Sequence, residues 1–203
     1  MNEARNLGEL REMLGECTRC SLSGGRTRLV FGDGSERARL MFIGEAPGRA
    51  EDAQGLPFVG PAGKLLDRLL SGIGLRRGDV YITNVVKCRP PGNRDPQPEE
   101  TNTCNPFLEG QIALIRPKIV CALGRVAASI VMDKPVQITK MHGQKFTGAG
   151  YFIVPVFHPA AALRAASTMG MLEDDFSRLK AYLEEDESPP PPPTPEPEQM
   201  GLF

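Results

Sequence analysis

Short runs of apolar residues alternate along this chain with longer stretches in which apolar side chains recur every three or four positions. The first pattern is that of a strand buried on both faces, the second that of a helix with one apolar side. NLGELREMLGE (6–16) reads as a helix with Leu7, Leu10 and Met13–Leu14 on its inner side. RLMFIGE (39–45) reads as a strand ending at Gly44, and AGKLLDRLLSGIG (62–74) as a helix burying Leu65, Leu66, Leu69 and Leu70. DVYITNVV (79–86) is the next strand, followed by a Pro-rich loop, the helix PEETNTCNPFLEGQIALIRP (98–117) and the strand KIVCALG (118–124). GRVAASIVM (124–132) gives a helix, YFIVPVFHP (151–159) a last strand and MLEDDFSRLKAYLEE (171–185) a closing helix.

Strands alternating with helices specify an α/β fold on a parallel sheet, here of four strands. In open parallel sheets, ligands bind in the crevice beyond the carboxyl ends of the strands. Those ends carry chemistry: Gly44-Glu45-Ala46-Pro47-Gly48 after the first strand, Asn84 after the second, Gly124 after the third and His158-Pro159 after the fourth. A carboxylate, an amide, a glycine turn and an imidazole therefore share one rim. Taken singly each has a plain reading, the Glu as a loop charge and the Asn as a turn former; their meeting on one rim is what points to a site. The folded domain is expected over residues 1–187. The tail, 188–203, opens with SPPPPPTPEPE (188–198), which cannot build a core and reads as an extended spacer rising about 3.1 Å per residue.

Charge refines this picture. The formal net charge of −1 conceals 22 Lys and Arg against 16 Asp and Glu in residues 1–172, and 2 against 9 in residues 173–203. A basic body with an acidic tail suits a polyanionic partner without demanding one. No apolar run approaches the roughly 20 residues of a membrane helix, and MNEARNLGELRE is charged where a secretory signal would be greasy. A soluble, cytoplasmic, monomeric protein with no membrane partner is expected.

Five cysteines in such a protein point to metal binding rather than disulfides, because a reducing compartment keeps thiols free. Cys17-x2-Cys20 and Cys88-x15-Cys104 supply two pairs, four thiolates in all, as tetrahedral zinc or an iron–sulfur cluster requires. The spacing does not choose between them. Cys121 lies inside the apolar strand KIVCALG and reads as a small core residue. GPAGKL (60–65) imitates a phosphate-binding loop but fails it: Phe58 stands where the first glycine belongs, and Leu65 follows the lysine where Ser or Thr would hold magnesium.

GEAPGRAEDAQGLPFVGPAGKLL (44–66), ITNVVKCRPPGNRDP (82–96) and FHPAAALR (157–164), together with the four cysteines, resemble the family 4 uracil-DNA glycosylases. The resemblance spans roughly residues 7–183, in order and spacing. It implies a three-layer α/β/α sandwich around a four-stranded parallel sheet, and a [4Fe-4S] cluster on Cys17, Cys20, Cys88 and Cys104. It implies further that Phe58 stacks on a flipped uracil, that Asn84 reads its Watson–Crick edge and that Glu51 shapes the pocket against thymine's methyl group. Glu45 would position or activate water beside Ala46, Asn93 would assist, His158 would donate to uracil O2, and Ala162–Leu163 would wedge into the space the base vacates. The implied reaction is hydrolysis of the N-glycosidic bond of uracil in DNA, leaving free uracil and an abasic site. A related group that is trapped covalently on its substrate carries an inserted basic loop with a histidine; VVKCRPPGNRDPQPEE (85–100) has neither, which favours turnover.

Gln199, Leu202 and Phe203, at the end of the spacer, resemble a peptide that docks on a sliding clamp, and a flexible tether would raise the local concentration of the enzyme at replicating DNA. Two rivals stand beside the glycosylase reading: a non-catalytic metal-cluster module that binds nucleic acid, and a glycosylase preferring another deaminated base.

Overall fold

The computed structural model describes residues 4–191. Six strands form one sheet: β1 (Asp33–Gly34), β2 (Leu40–Gly44), β3 (Tyr81–Asn84), β4 (Ile119–Leu123), β5 (Phe146–Thr147) and β6 (Phe152–Val156), in the order β1-β3-β2-β4-β6-β5. β3, β2, β4 and β6 are mutually parallel and are the four strands expected from the apolar runs. β1 and β5, two residues each, add antiparallel edges. Such short pieces carry no periodic signal, which is why the sequence did not announce them.

The helices are α1 (Leu7–Leu14), α2 (Arg49–Gln54), α3 (Pro61–Gly72), α4 (Pro98–Ile115), α5 (Arg125–Val131), α6 (Ile138–Met141), α7 (Pro159–Ala162) and α8 (Ala166–Glu184). Alternation along each strand sends successive side chains to opposite faces. Met41 and Ile43 of β2, with Val120 and Ala122 of β4, join Leu7, Leu10, Leu14, Phe107 and Ala127 on one side. Leu40 and Phe42, with Ile119, Cys121 and Leu123, join Leu65, Leu66, Leu69, Leu70, Phe176 and Leu179 on the other. The sheet is thus a middle layer sealed by helices on both faces, the three-layer α/β/α sandwich. Met13 departs from expectation: Leu14 is buried but Met13 is 37% exposed, since successive helical residues point about 100° apart.

Strand order places the site. β2 has β3 on one side and β4 on the other, so the chain's crossovers diverge there, at the kind of switch point where parallel sheets leave a crevice. The β2–β3 pairing runs to its last register, Gly44 opposite Asn84, and Val85 and Val86 continue it by donating to the Gly44 and Glu45 carbonyls. Asn84 therefore sits at a fixed height beside Glu45.

Candidate active site

A cleft of about 500 Å³ opens at the carboxyl ends of the parallel strands. Glu45, Ala46, Glu51, Phe58, Asn84, Asn93 and His158 all line it. Leu163 does not; it caps α7, 45% exposed, beside the lining residues Ala161 and Arg164.

Asn84 is 1% exposed, yet both its amide oxygen and its amide nitrogen are buried without a hydrogen-bond partner among the described residues. A buried unpaired donor or acceptor costs about 1–3 kcal/mol. An amide with both ends orphaned is a site shaped for something that arrives. Gly44 makes room for it: a β-carbon there would stand 2.4 Å from Asn84 Oδ1 and 2.7 Å from the Phe58 ring.

Phe58 is held against its preference. It adopts φ +51°, a left-handed conformation that a bulky residue enters only at a cost. Three neighbours fix it. Glu51 Oε1 accepts from the Val59 and Gly60 amides, each at 2.9 Å. Arg77 donates to the Phe58 carbonyl at 3.0 Å and also to the Pro57 carbonyl. Gly63 lies so close beneath that a β-carbon there would fall 1.7 Å from the Phe58 oxygen. The ring ends 5.7 Å from the His158 ring, centroid to centroid.

His158 follows β6 and caps α7, its Nδ1 accepting from the Ala160 amide at 3.1 Å. That bond leaves the proton on Nε2, which is free to donate. Burial pushes the imidazole down to about 4, so it is neutral at physiological pH. Gly124, at φ +91°, gives the ring space: a β-carbon there would meet His158 Cβ at 3.1 Å.

Glu45 is half-buried, and burial pushes its carboxyl up to about 7; neighbouring Asp95 pushes the same way, and Arg125 opposes both. Asp95 lines the cleft and pairs with Arg125 at 3.2 Å. Sequence reading missed this pair, although Asp95 stands inside the quoted NRDP run. Asn93 lies on the exposed rim, at φ +54°, with its Oδ1 accepting from Arg89 at 2.8 Å.

Cys17, Cys20, Cys88 and Cys104 line a second, small pocket, while Cys121 is buried apart in the sheet. Among the described residues, no three His, Cys, Asp or Glu side chains close on a point as a single ion requires. The surroundings are cationic. Arg26 reaches Cys88 Sγ at 3.4 Å, and Lys87 lines the pocket while its backbone amide hydrogen-bonds the Cys104 sulfur. Between Cys88 and Cys104 runs the loop carrying Asn93, Arg94 and Asp95 to the cleft, and Glu100 ties it down by accepting from Arg94 at 2.6 Å and from Ser21, next to Cys20, at 3.0 Å.

Fold and cleft together define an α/β/α protein with a ready-made slot in which an aromatic face, an unpaired amide and a neutral imidazole converge. The chain belongs to the uracil DNA glycosylase superfamily, whose sequence profile matches residues 31–184. It is 43% identical over 184 residues to the Type-4 uracil-DNA glycosylase of Sulfurisphaera tokodaii, covering 86% of this chain and 84% of that protein. It is 45% identical over 187 residues to the Type-4 uracil-DNA glycosylase of Saccharolobus solfataricus, covering 88% and 87%. It is 44% identical over 186 residues to that of Thermotoga maritima, covering 88% and 97%.

Proposed function

We infer that this chain is a uracil-DNA glycosylase, hydrolysing the N-glycosidic bond of uracil in DNA to release the base and leave an abasic site. The observation that carries the reading is the orphaned amide of Asn84. Uracil offers an N3–H donor beside an O4 acceptor, which Oδ1 and Nδ2 match; cytosine presents the reverse order and leaves both ends unpaired. A base inside a duplex cannot reach such a slot, so it is flipped out, and stacking on Phe58 helps offset the unstacking cost of a few kcal/mol.

Bond breaking leaves negative charge on uracil and positive charge on the sugar. His158 Nε2–H donates to uracil O2 in this reading, where a well-aimed hydrogen bond contributes about 3–4 kcal/mol. Glu45, when ionised, faces the developing sugar cation and orients the attacking water. Glu51 shapes the wall against thymine's methyl by fixing where Phe58 stands, and Asn93 assists from the rim. Leu163, exposed beside the cleft, would fill the vacated stack.

The four cysteines are the residues that would hold a [4Fe-4S] cluster. They line one pocket and supply the four thiolates such a cluster takes, the assignment that the family resemblance implies. The cluster would supply structure, anchoring the loop between Cys88 and Cys104. No helix among the described residues is long and apolar enough to cross a membrane. Gln199, Leu202 and Phe203 lie outside the described residues, and their docking on a sliding clamp is carried by the sequence alone.

The test is a panel of oligonucleotides bearing uracil, cytosine, thymine, hypoxanthine or xanthine, incubated with folded protein and cleaved at abasic sites with alkali. Strand scission confined to uracil is expected. An intact uracil strand, or a stronger signal from hypoxanthine or xanthine, would overturn the reading.

A further inference from the structure

Lys87 is 1% exposed and is used by nothing in the reaction described above. Its ammonium donates to Thr83 Oγ1 at 2.8 Å, to the Asn84 backbone oxygen at 2.6 Å and to Gln111 Oε1 at 2.7 Å. All three acceptors are neutral. Gln111 and Thr83 are themselves fixed on the Phe31 carbonyl, each donating to it at 2.8 Å, so the acceptors form one rigid cage. Among the described residues no carboxylate pairs with Lys87. A buried ammonium held by dipoles alone costs several kcal/mol, and breaking or withholding its ionic partner is strongly destabilising.

The same residue faces the cysteines. It lines their pocket, its backbone amide hydrogen-bonds Cys104, and Arg26, with a side chain 8% exposed, adds a second cation against Cys88. Arg26 is already paired with Glu16 at 3.6 Å, whereas Lys87 is without an anion among the described residues, and four thiolates around an iron–sulfur core are one.

We propose that Lys87 is the resident counterion of the group held by Cys17, Cys20, Cys88 and Cys104, and that the same ammonium fixes the backbone of Asn84, tying the cysteine pocket to the uracil-reading amide. The proposal rests on the cluster reading above. Lys87 is a positioning residue: it acts on substrate only through Asn84. With the anion present its charge is compensated; with the anion removed, the end of β3 carries an uncompensated charge beside the residue that reads the base.

The experiment compares melting temperatures of loaded protein and protein stripped of iron by a chelator, in wild type and in Lys87→Met. Iron content and visible absorbance of the wild type come first, and a wild type that carries no iron and cannot be loaded defeats the cluster reading itself. Given a loaded wild type, Lys87→Met is expected to narrow the gap between loaded and stripped forms, because the stripped variant no longer harbours an orphan charge. KM for uracil-DNA should rise more than kcat falls. A purely structural lysine would lower both forms together and leave the gap unchanged, which overturns the proposal. Should Lys87→Met fail to fold, Gln111→Glu places a carboxylate where an acceptor already sits 2.7 Å from the ammonium, and the gap must narrow there too. A gap equal to the wild type's in that variant overturns the proposal equally.

Discussion

Asn84 and Glu45 stand side by side at the ends of adjacent strands, and each carries a cost that only function explains. The amide is buried without partners, and the carboxyl is held up to about 7 by burial and by Asp95. If Glu45 acts as carboxylate, kcat/KM should climb about tenfold per pH unit below about 7 and level off above it. His158, neutral down to about 4, adds no limb in that range. Asp95→Asn removes the second cause of the raised value and should move the ascending limb to lower pH, while Glu45→Gln should flatten it and slow excision. A limb that stays in place in Asp95→Asn would show that Asp95 does not tune the carboxyl. At this scale the sequence was informative about identity and mute about charge. Glu45, Phe58, Asn84 and His158 could be picked out by motif and strand end, but the shift on Glu45 depends on Asp95 and Arg125, which reach it only through the fold. Lys87 had a signal too: a lone cation in the apolar run NVVKC, between Asn84 and one of the four pocket cysteines.

At the scale of elements, the four parallel strands and the helices α1, α3, α4, α5 and α8 were legible from their apolar periods. The short α2 was not, and it matters most. Its six residues present Glu51, whose carboxylate grips the Val59 and Gly60 amides and so keeps Phe58 in its left-handed turn. Each bond to a charged acceptor contributes about 1.5–3 kcal/mol. Glu51→Ala should therefore lower the melting temperature, raise KM for uracil-DNA and reduce discrimination against thymine, whereas Glu51→Gln, which keeps an acceptor oxygen, should retain most of all three properties. Wild-type KM and thymine rejection in Glu51→Ala would mean that Arg77 and Gly63 hold the turn unaided. The edge strands β1 and β5 were hidden for the same reason as α2, being too short to show a period.

At the scale of the whole molecule, a sandwich with two cores holds a rigid sheet, and everything reactive is hung on its carboxyl edge. The cysteine pocket lies beside that edge, and the segment between Cys88 and Cys104 runs from it to the cleft. The central claim is that the slot is a receptor for uracil. Its most direct test is Asn84→Leu, similar in size but without polar atoms, assayed for single-turnover uracil excision and for melting temperature on the same preparation. Excision should fall about 10²–10³-fold while the protein melts no lower than wild type, since an unsatisfied buried amide has been removed. Excision near the wild-type rate, or a collapse of the fold in place of the activity, would contradict it.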